Sequence, residues 1–91
     1  MKKEPKWTLT IFESRGCLNC KAQKKIVDEV IGDYPHVEVN HPDEEDIDTF
    51  IQEHHITTSP TMILKCDGVE TGRLASLRPA SFVRTLLEGA V

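Results

Sequence analysis

Cys17-Leu18-Asn19-Cys20 sets two thiols three positions apart, just after an apolar run from Trp7 to Phe12 and just before a segment with helical periodicity. If a strand ends near Ser14 and a helix begins at Cys17, the first sulfur lies over the unpaired backbone N–H groups and positive dipole end of that helix. A thiolate is stabilised there. The second sulfur, one turn on, shares the same face and can close a disulfide with the first. The pair can therefore cycle between dithiol and disulfide, with Cys17 as nucleophile and Cys20 as resolving thiol. Arg15, Lys21, Lys24 and Lys25 surround the motif with positive charge, which is expected to lower the pKa of Cys17 further.

The elements that must hold this motif follow from periodicity. Trp7, Leu9 and Ile11 alternate with Thr8 and Thr10, a strand pattern rich in β-branched residues. Ala22, Ile26, Val27, Val30 and Ile31 recur at helical spacing and Gly32 supplies a C-cap, so the first helix is expected from Cys17 to Ile31. Val37 and Val39 mark a short strand. His41-Pro42 is expected to open a second helix, with Pro42 at its first position and Asp43, Glu44, Glu45, Asp46 and Asp48 on its solvated side. Ile47, Phe50, Ile51 and His54 form its inner face, and the helix should end near His54 or His55. Thr61 to Lys65 reads as a strand entered through Ser59-Pro60, and Asp67-Gly68 signals a hairpin into Val69 to Leu74. Pro79 can start a last helix whose apolar stripe is Phe82, Val83, Leu86 and Leu87. The order β-α-β-α-β-β-α describes an α/β fold with a four-stranded mixed sheet and three helices. Helical crossovers favour parallel pairing of the first three strands, with the hairpin adding an antiparallel edge.

Composition narrows the possibilities. Ninety-one residues hold one core, so residues 1–91 are expected to form a single domain. A net charge of −4 argues against a nucleic-acid partner. No stretch approaches the roughly 20 apolar residues of a membrane span. Met1-Lys2-Lys3-Glu4-Pro5-Lys6 is charged but lacks a following apolar core of useful length, which is unlike a signal peptide. Three cysteines fit a reducing compartment better than a secreted disulfide scaffold, and the cytoplasm is the expected location.

With Cys-x-x-Cys at the first strand–helix junction, Thr58-Ser59-Pro60-Thr61 leading into the third strand and Gly68 eight residues after Pro60, the chain from about Thr8 to Leu87 resembles the small thioredoxin/glutaredoxin proteins of the thioredoxin superfamily. The resemblance implies a thioredoxin-like fold and a thiol–disulfide oxidoreductase with Cys17 and Cys20 as its catalytic pair. It implies a cis bond before Pro60 and substrate binding at Ser59, Pro60 and Thr61; Arg15 and Lys21 are expected to tune the nucleophile through their charge. No cofactor beyond the redox-active disulfide is implied. The expected partners are a disulfide-containing protein or small thiol substrate and an external reductase or low-molecular-weight thiol, with the chain acting as a monomer in cell redox homeostasis.

The departures are specific. Gly16 precedes the motif and Leu18-Asn19 fills it, where thioredoxins usually carry Trp-Cys-Gly-Pro-Cys. The buried acid that thioredoxins keep six positions before the first cysteine is here Ile11. Glu13 lies nearer the site and could substitute, although a carboxylate at a strand end is commonly just exposed. Glutaredoxins hold glutathione partly through a Thr-Val-Pro segment, which Thr58-Ser59-Pro60 matches in part, and through a later Gly/Asp pair that nothing after Gly72 matches.

Other residues have plainer readings. Cys66 should share a strand face with Met62 and Leu64 as a buried, inert thiol. Trp7 should pack at the start of the first strand. His54 and His55 could imitate a zinc set with the two cysteines, but the spacing offers no second ligand pair; His54 belongs to an inner helix edge and His55 to solvent. Two further functions remain open: a redox-inactive module that docks an extended peptide at Ser59-Pro60, and a metal-bound Cys-x-x-Cys module that could bridge two chains.

Overall fold

The alternating strand at the N-terminus becomes β1 (Trp7–Phe12), at the middle of a sheet ordered β2-β1-β3-β4. The computed structural model describes residues 4–14, 16–42 and 47–90; Arg15, the acidic run at 43–46 and the Ile47 side chain lie outside the described residues. The other elements are α1 (Leu18–Ile31), β2 (Val37–Asn40), α2 (Ile47–Glu53), β3 (Thr61–Cys66), β4 (Val69–Ala75) and α3 (Ala80–Glu88), in the expected order.

Side-chain alternation divides β1 between two layers. Leu9 and Ile11 join Met62 and Leu64 of β3, Val27 and Val30 of α1, and Val83 and Leu87 of α3 in one apolar core. Trp7 closes the far end of that core, and Cys66 packs half-buried against it. Phe12 is buried apart from this core, its ring 5.8 Å from that of Phe50 and 5.3 Å from that of His54, so α2 serves the other face.

β2 runs parallel to β1, but β3 runs antiparallel to β1, which corrects the expectation of three parallel strands. Apolar patterning is blind to strand direction, and the helix between β2 and β3 carried the expectation. The seven described residues of α2 cover only about 10 Å, half the roughly 20 Å length of a six-residue strand, so the chain enters β3 from the end at which it left β2. The hairpin is as expected: Asp67 and Gly68 both adopt positive φ, 51° and 84°, the conformation of a two-residue turn that matches strand twist.

Three helix assignments shift in detail. α1 begins at Leu18, with Cys17 as its N-cap, and Ala22 is exposed while Gln23 takes the buried position beside it. Pro42 stands outside the regular helix, and Pro79 is the N-cap of α3 rather than its first helical residue. In α3, Val83 and Leu87 are buried and Leu86 partly so, but Phe82 is 46% exposed at the outer margin of the stripe.

Candidate functional site

Register gathers the site. Phe12 pairs with Thr61 and Thr61 with Ala75, so the C-terminal end of β1, the N-terminal end of β3 and the C-terminal end of β4 are level. The segments leaving or entering there are Glu13 to Gly16, Thr58 to Pro60 and Ser76 to Arg78. α1 starts at the same end, capped by Cys17 just after Gly16.

Gly16 has φ of 67°, a left-handed conformation that L side chains adopt only at a cost, and this bend delivers Cys17 to the cap of α1. Cys17 is extended (φ −81°, ψ 103°), and its Sγ accepts the N–H of Cys20 at 3.1 Å. Cys17 and Cys20 form a disulfide across a Cα–Cα distance of 5.3 Å. Their surroundings differ: Cys17 is partly exposed, whereas Cys20 is 1% exposed on the inner face of α1. The sulfur that meets solvent is therefore the one at the helix N-terminus. Leu18 projects outward beside it, 78% exposed.

The facing turn is held by short bonds. The Ser59–Pro60 peptide bond is cis and Pro60 is buried. Ser14 Oγ and Ser59 Oγ lie 2.8 Å apart in a shared hydrogen bond. Thr61 is buried and its hydroxyl donates to the Thr58 carbonyl at 2.7 Å, so its side chain braces the turn. Beside the turn is a cleft of about 220 Å³ lined by Phe12, Glu13, Ser14, Ile51, Ile56 and residues 57–59.

Charge is distributed unevenly around these groups. Lys21, Lys24 and Lys25 are exposed on α1 and have no carboxylate partner among the described residues. Ile11 is fully buried, so the β1 position six residues before Cys17 is apolar. The Glu13 carboxylate instead turns toward His41, with Oε1 3.6 Å from Nδ1, too long for a hydrogen bond, and that oxygen is buried without a hydrogen-bond partner.

Solved structures share this fold at low identity. Plasmodium falciparum thioredoxin superposes with a TM-score of 0.81 at 18% identity, over 97% of this chain and 85% of its own. Fasciola hepatica thioredoxin gives 0.79 at 19% identity, over 92% and 80%. The oxidised form of Saccharomyces cerevisiae mitochondrial thioredoxin 3 gives 0.78 at 22% identity, over 94% and 81%. The chain has the thioredoxin fold. No protein-family model matches it, and no curated sequence does.

Within the thioredoxin fold, the disulfide joins Cys17 and Cys20, and the Ser59–Pro60 turn lies at the same end of the sheet. Lys21 follows Cys20 on the exposed side of α1. Arg15 lies outside the described residues. His54 stands elsewhere: its ring contacts Phe12 and Phe50, its Nδ1 bonds the Phe50 carbonyl at 3.0 Å, and its Nε2 meets Lys65 Nζ at 2.8 Å. His55 is exposed. Among the described residues no group of three or more His, Cys, Asp or Glu side chains could hold a metal ion.

Sequence reasoning passed over two contributors. Ser14 gave no signal, since a serine at a strand end is ordinary. Gln23 did give one: Cys20, Gln23, Val27 and Val30 follow helical spacing along the buried face of α1, and a lone amide in such a stripe must find partners inside the protein.

Proposed function

We propose that this chain is a thiol–disulfide oxidoreductase that acts on disulfides of polypeptides or small thiols. The observation that carries the proposal is the asymmetry of the Cys17–Cys20 pair, with an accessible sulfur at the cap of α1 and a buried one a turn below. A thiolate at Cys17 is favoured by the Cys20 N–H, already aimed at its sulfur, and by the helix N-terminus.

In the reduced protein the Cys17 thiolate attacks one sulfur of a substrate disulfide. A Cys17–substrate disulfide forms, the substrate S–S bond breaks, and the other substrate sulfur departs as a thiolate that takes up a proton. Cys20 then loses its proton and attacks Cys17 Sγ, which expels the second substrate thiolate and closes the Cys17–Cys20 disulfide. The substrate gains two electrons and the pair loses two. A thiol reductant, either a reductase dithiol or a low-molecular-weight thiol, returns them by the reverse exchange.

Ser59, next to the cis bond, lies where an extended substrate segment can reach both its backbone and Cys17. No buried carboxylate at position 11 is available to take the Cys20 proton, so solvent receives it. A free, half-buried Cys66 in the same chain suits a reducing compartment, and we place the protein in the cytoplasm as a monomer.

The test is reduction of insulin and of a small aromatic disulfide by the wild-type protein and two variants. Cys17→Ser is expected to abolish turnover and Cys20→Ser to accumulate mixed disulfides visible by mass spectrometry. Turnover that survives in Cys17→Ser would overturn the assignment.

A further inference from the structure

The side chain of Gln23 is fully buried. Both halves of its amide are used on one residue: Nε2 donates to the Arg78 carbonyl at 3.1 Å, and Oε1 accepts the Arg78 N–H at 2.7 Å. The pairing is that of two strands, made by a side chain, and it clamps the segment between β4 and α3 to α1. The clamp is one helical turn below Cys20 on the same face.

The clamped segment is part of the site. It leaves β4 at Ala75, which pairs with Thr61, so it lies level with the Ser59–Pro60 turn. It bends sharply, with φ of 69° at Ser76, and then exposes Leu77. Arg78 is fixed by its own side chain as well, through Nε to the Ala75 carbonyl at 2.9 Å and by its guanidinium over the Phe82 ring at 5.5 Å. α1 with Cys17 thus has the Ser59–Pro60 turn and the Ser76–Arg78 turn as neighbours at one end of the sheet.

We propose that Gln23 is a positioning residue that holds Ser76–Arg78 as the second wall of the substrate groove and thereby sets affinity for polypeptide disulfides. The proposal rests on the oxidoreductase reading and deepens it. An extended polypeptide flanking its disulfide spans both walls, whereas a small disulfide needs only the exposed sulfur of Cys17. Without the amide, the N–H and C=O of Arg78 lose their partner in a part-buried setting, and the segment must shift to hydrate them fully.

The experiment compares kcat and KM for insulin with those for dithiobis(nitrobenzoate) in wild type, Gln23→Leu and Gln23→Glu. Gln23→Leu is expected to raise KM for insulin and to lower the ratio of insulin to small-disulfide kcat/KM about tenfold, as loss of the paired bonds implies. In Gln23→Glu a protonated carboxyl repeats both bonds and an ionised one cannot donate to the Arg78 carbonyl. The same ratio should therefore approach wild type at low pH and fall as pH rises, a readout that remains if Gln23→Leu fails to fold. A ratio unchanged in both variants, or equal losses on both substrates, overturns the role of Gln23. Wild-type protein inert toward dithiobis(nitrobenzoate) would instead overturn the oxidoreductase reading beneath it.

Discussion

Ser14 Oγ and Ser59 Oγ lie 2.8 Å apart and tie the loop that leads to Cys17 directly to the residue before the cis-proline. The bond is exposed, so its net worth to stability is small, about 1 kcal/mol or less. Ser14→Ala is expected to leave the urea midpoint almost unchanged while raising KM for insulin, because the two segments facing the substrate lose their link. Equilibrium unfolding and steady-state kinetics on the same variant check this.

Gly16 tests the bend in front of the nucleophile. Its φ of 67° is left-handed, and space around it is open: among the described residues, none beyond its chain neighbours comes within 4 Å of where a Cβ would sit. Strain alone should decide the outcome, so Gly16→Ala is expected to cost about 1–2 kcal/mol and Gly16→Asn less, since asparagine tolerates this region better. Thermal unfolding of the two variants gives the order.

Phe12 is the largest apolar contribution to the α2 face of the sheet, 1% exposed and in contact with the rings of Phe50 and His54. Truncation to alanine removes a buried ring and leaves a cavity, at a cost of about 3–5 kcal/mol. A domain of this size has only about 5–10 kcal/mol to lose. Phe12→Ala is expected to populate unfolded chain at room temperature, with Phe12→Leu intermediate, as read by circular dichroism in urea.

The Glu70–Arg73 pair predicts a pH dependence. Arg73 donates through Nε and a terminal nitrogen to both carboxylate oxygens, at 2.8 and 2.6 Å, and these bonds hold the Glu70 carboxyl below the usual carboxylate range. A pKa depressed in the folded state contributes stability above the unfolded value of about 4.3 and loses it as pH falls through the native value. Because the pair is partly exposed, the contribution is at most about 1 kcal/mol. Glu70→Gln should be slightly less stable than wild type at neutral pH, and the difference should vanish in acid. A difference that persists below that window would contradict the attribution.

Much of this was legible in the chain because local and global signals agree. β1 alternates, Asp67-Gly68 can make only a tight turn, and Cys17-Leu18-Asn19-Cys20 falls between a strand and a helix. Strand direction was not legible, since side-chain alternation along Thr61 to Cys66 reads alike in either sense. Phe82 was misplaced because spacing defines a stripe and not its margins. The bracing role of Thr61 and the clamp from Gln23 to Arg78 depend on contacts between segments distant in sequence, which periodicity does not encode. The mismatch of a glutamine in an apolar stripe was the one trace of the clamp that sequence carried.

Cys17 as an activated nucleophile beside a protected partner underlies the whole reaction. It is tested most directly by the rate of alkylation of each cysteine in the reduced protein as a function of pH, resolved by mass spectrometry. Rapid labelling of Cys17 alone is expected, with an apparent pKa well below the roughly 8.5 of a free thiol, while Cys20 reacts slowly. Equal and slow labelling of Cys17 and Cys20 would contradict it.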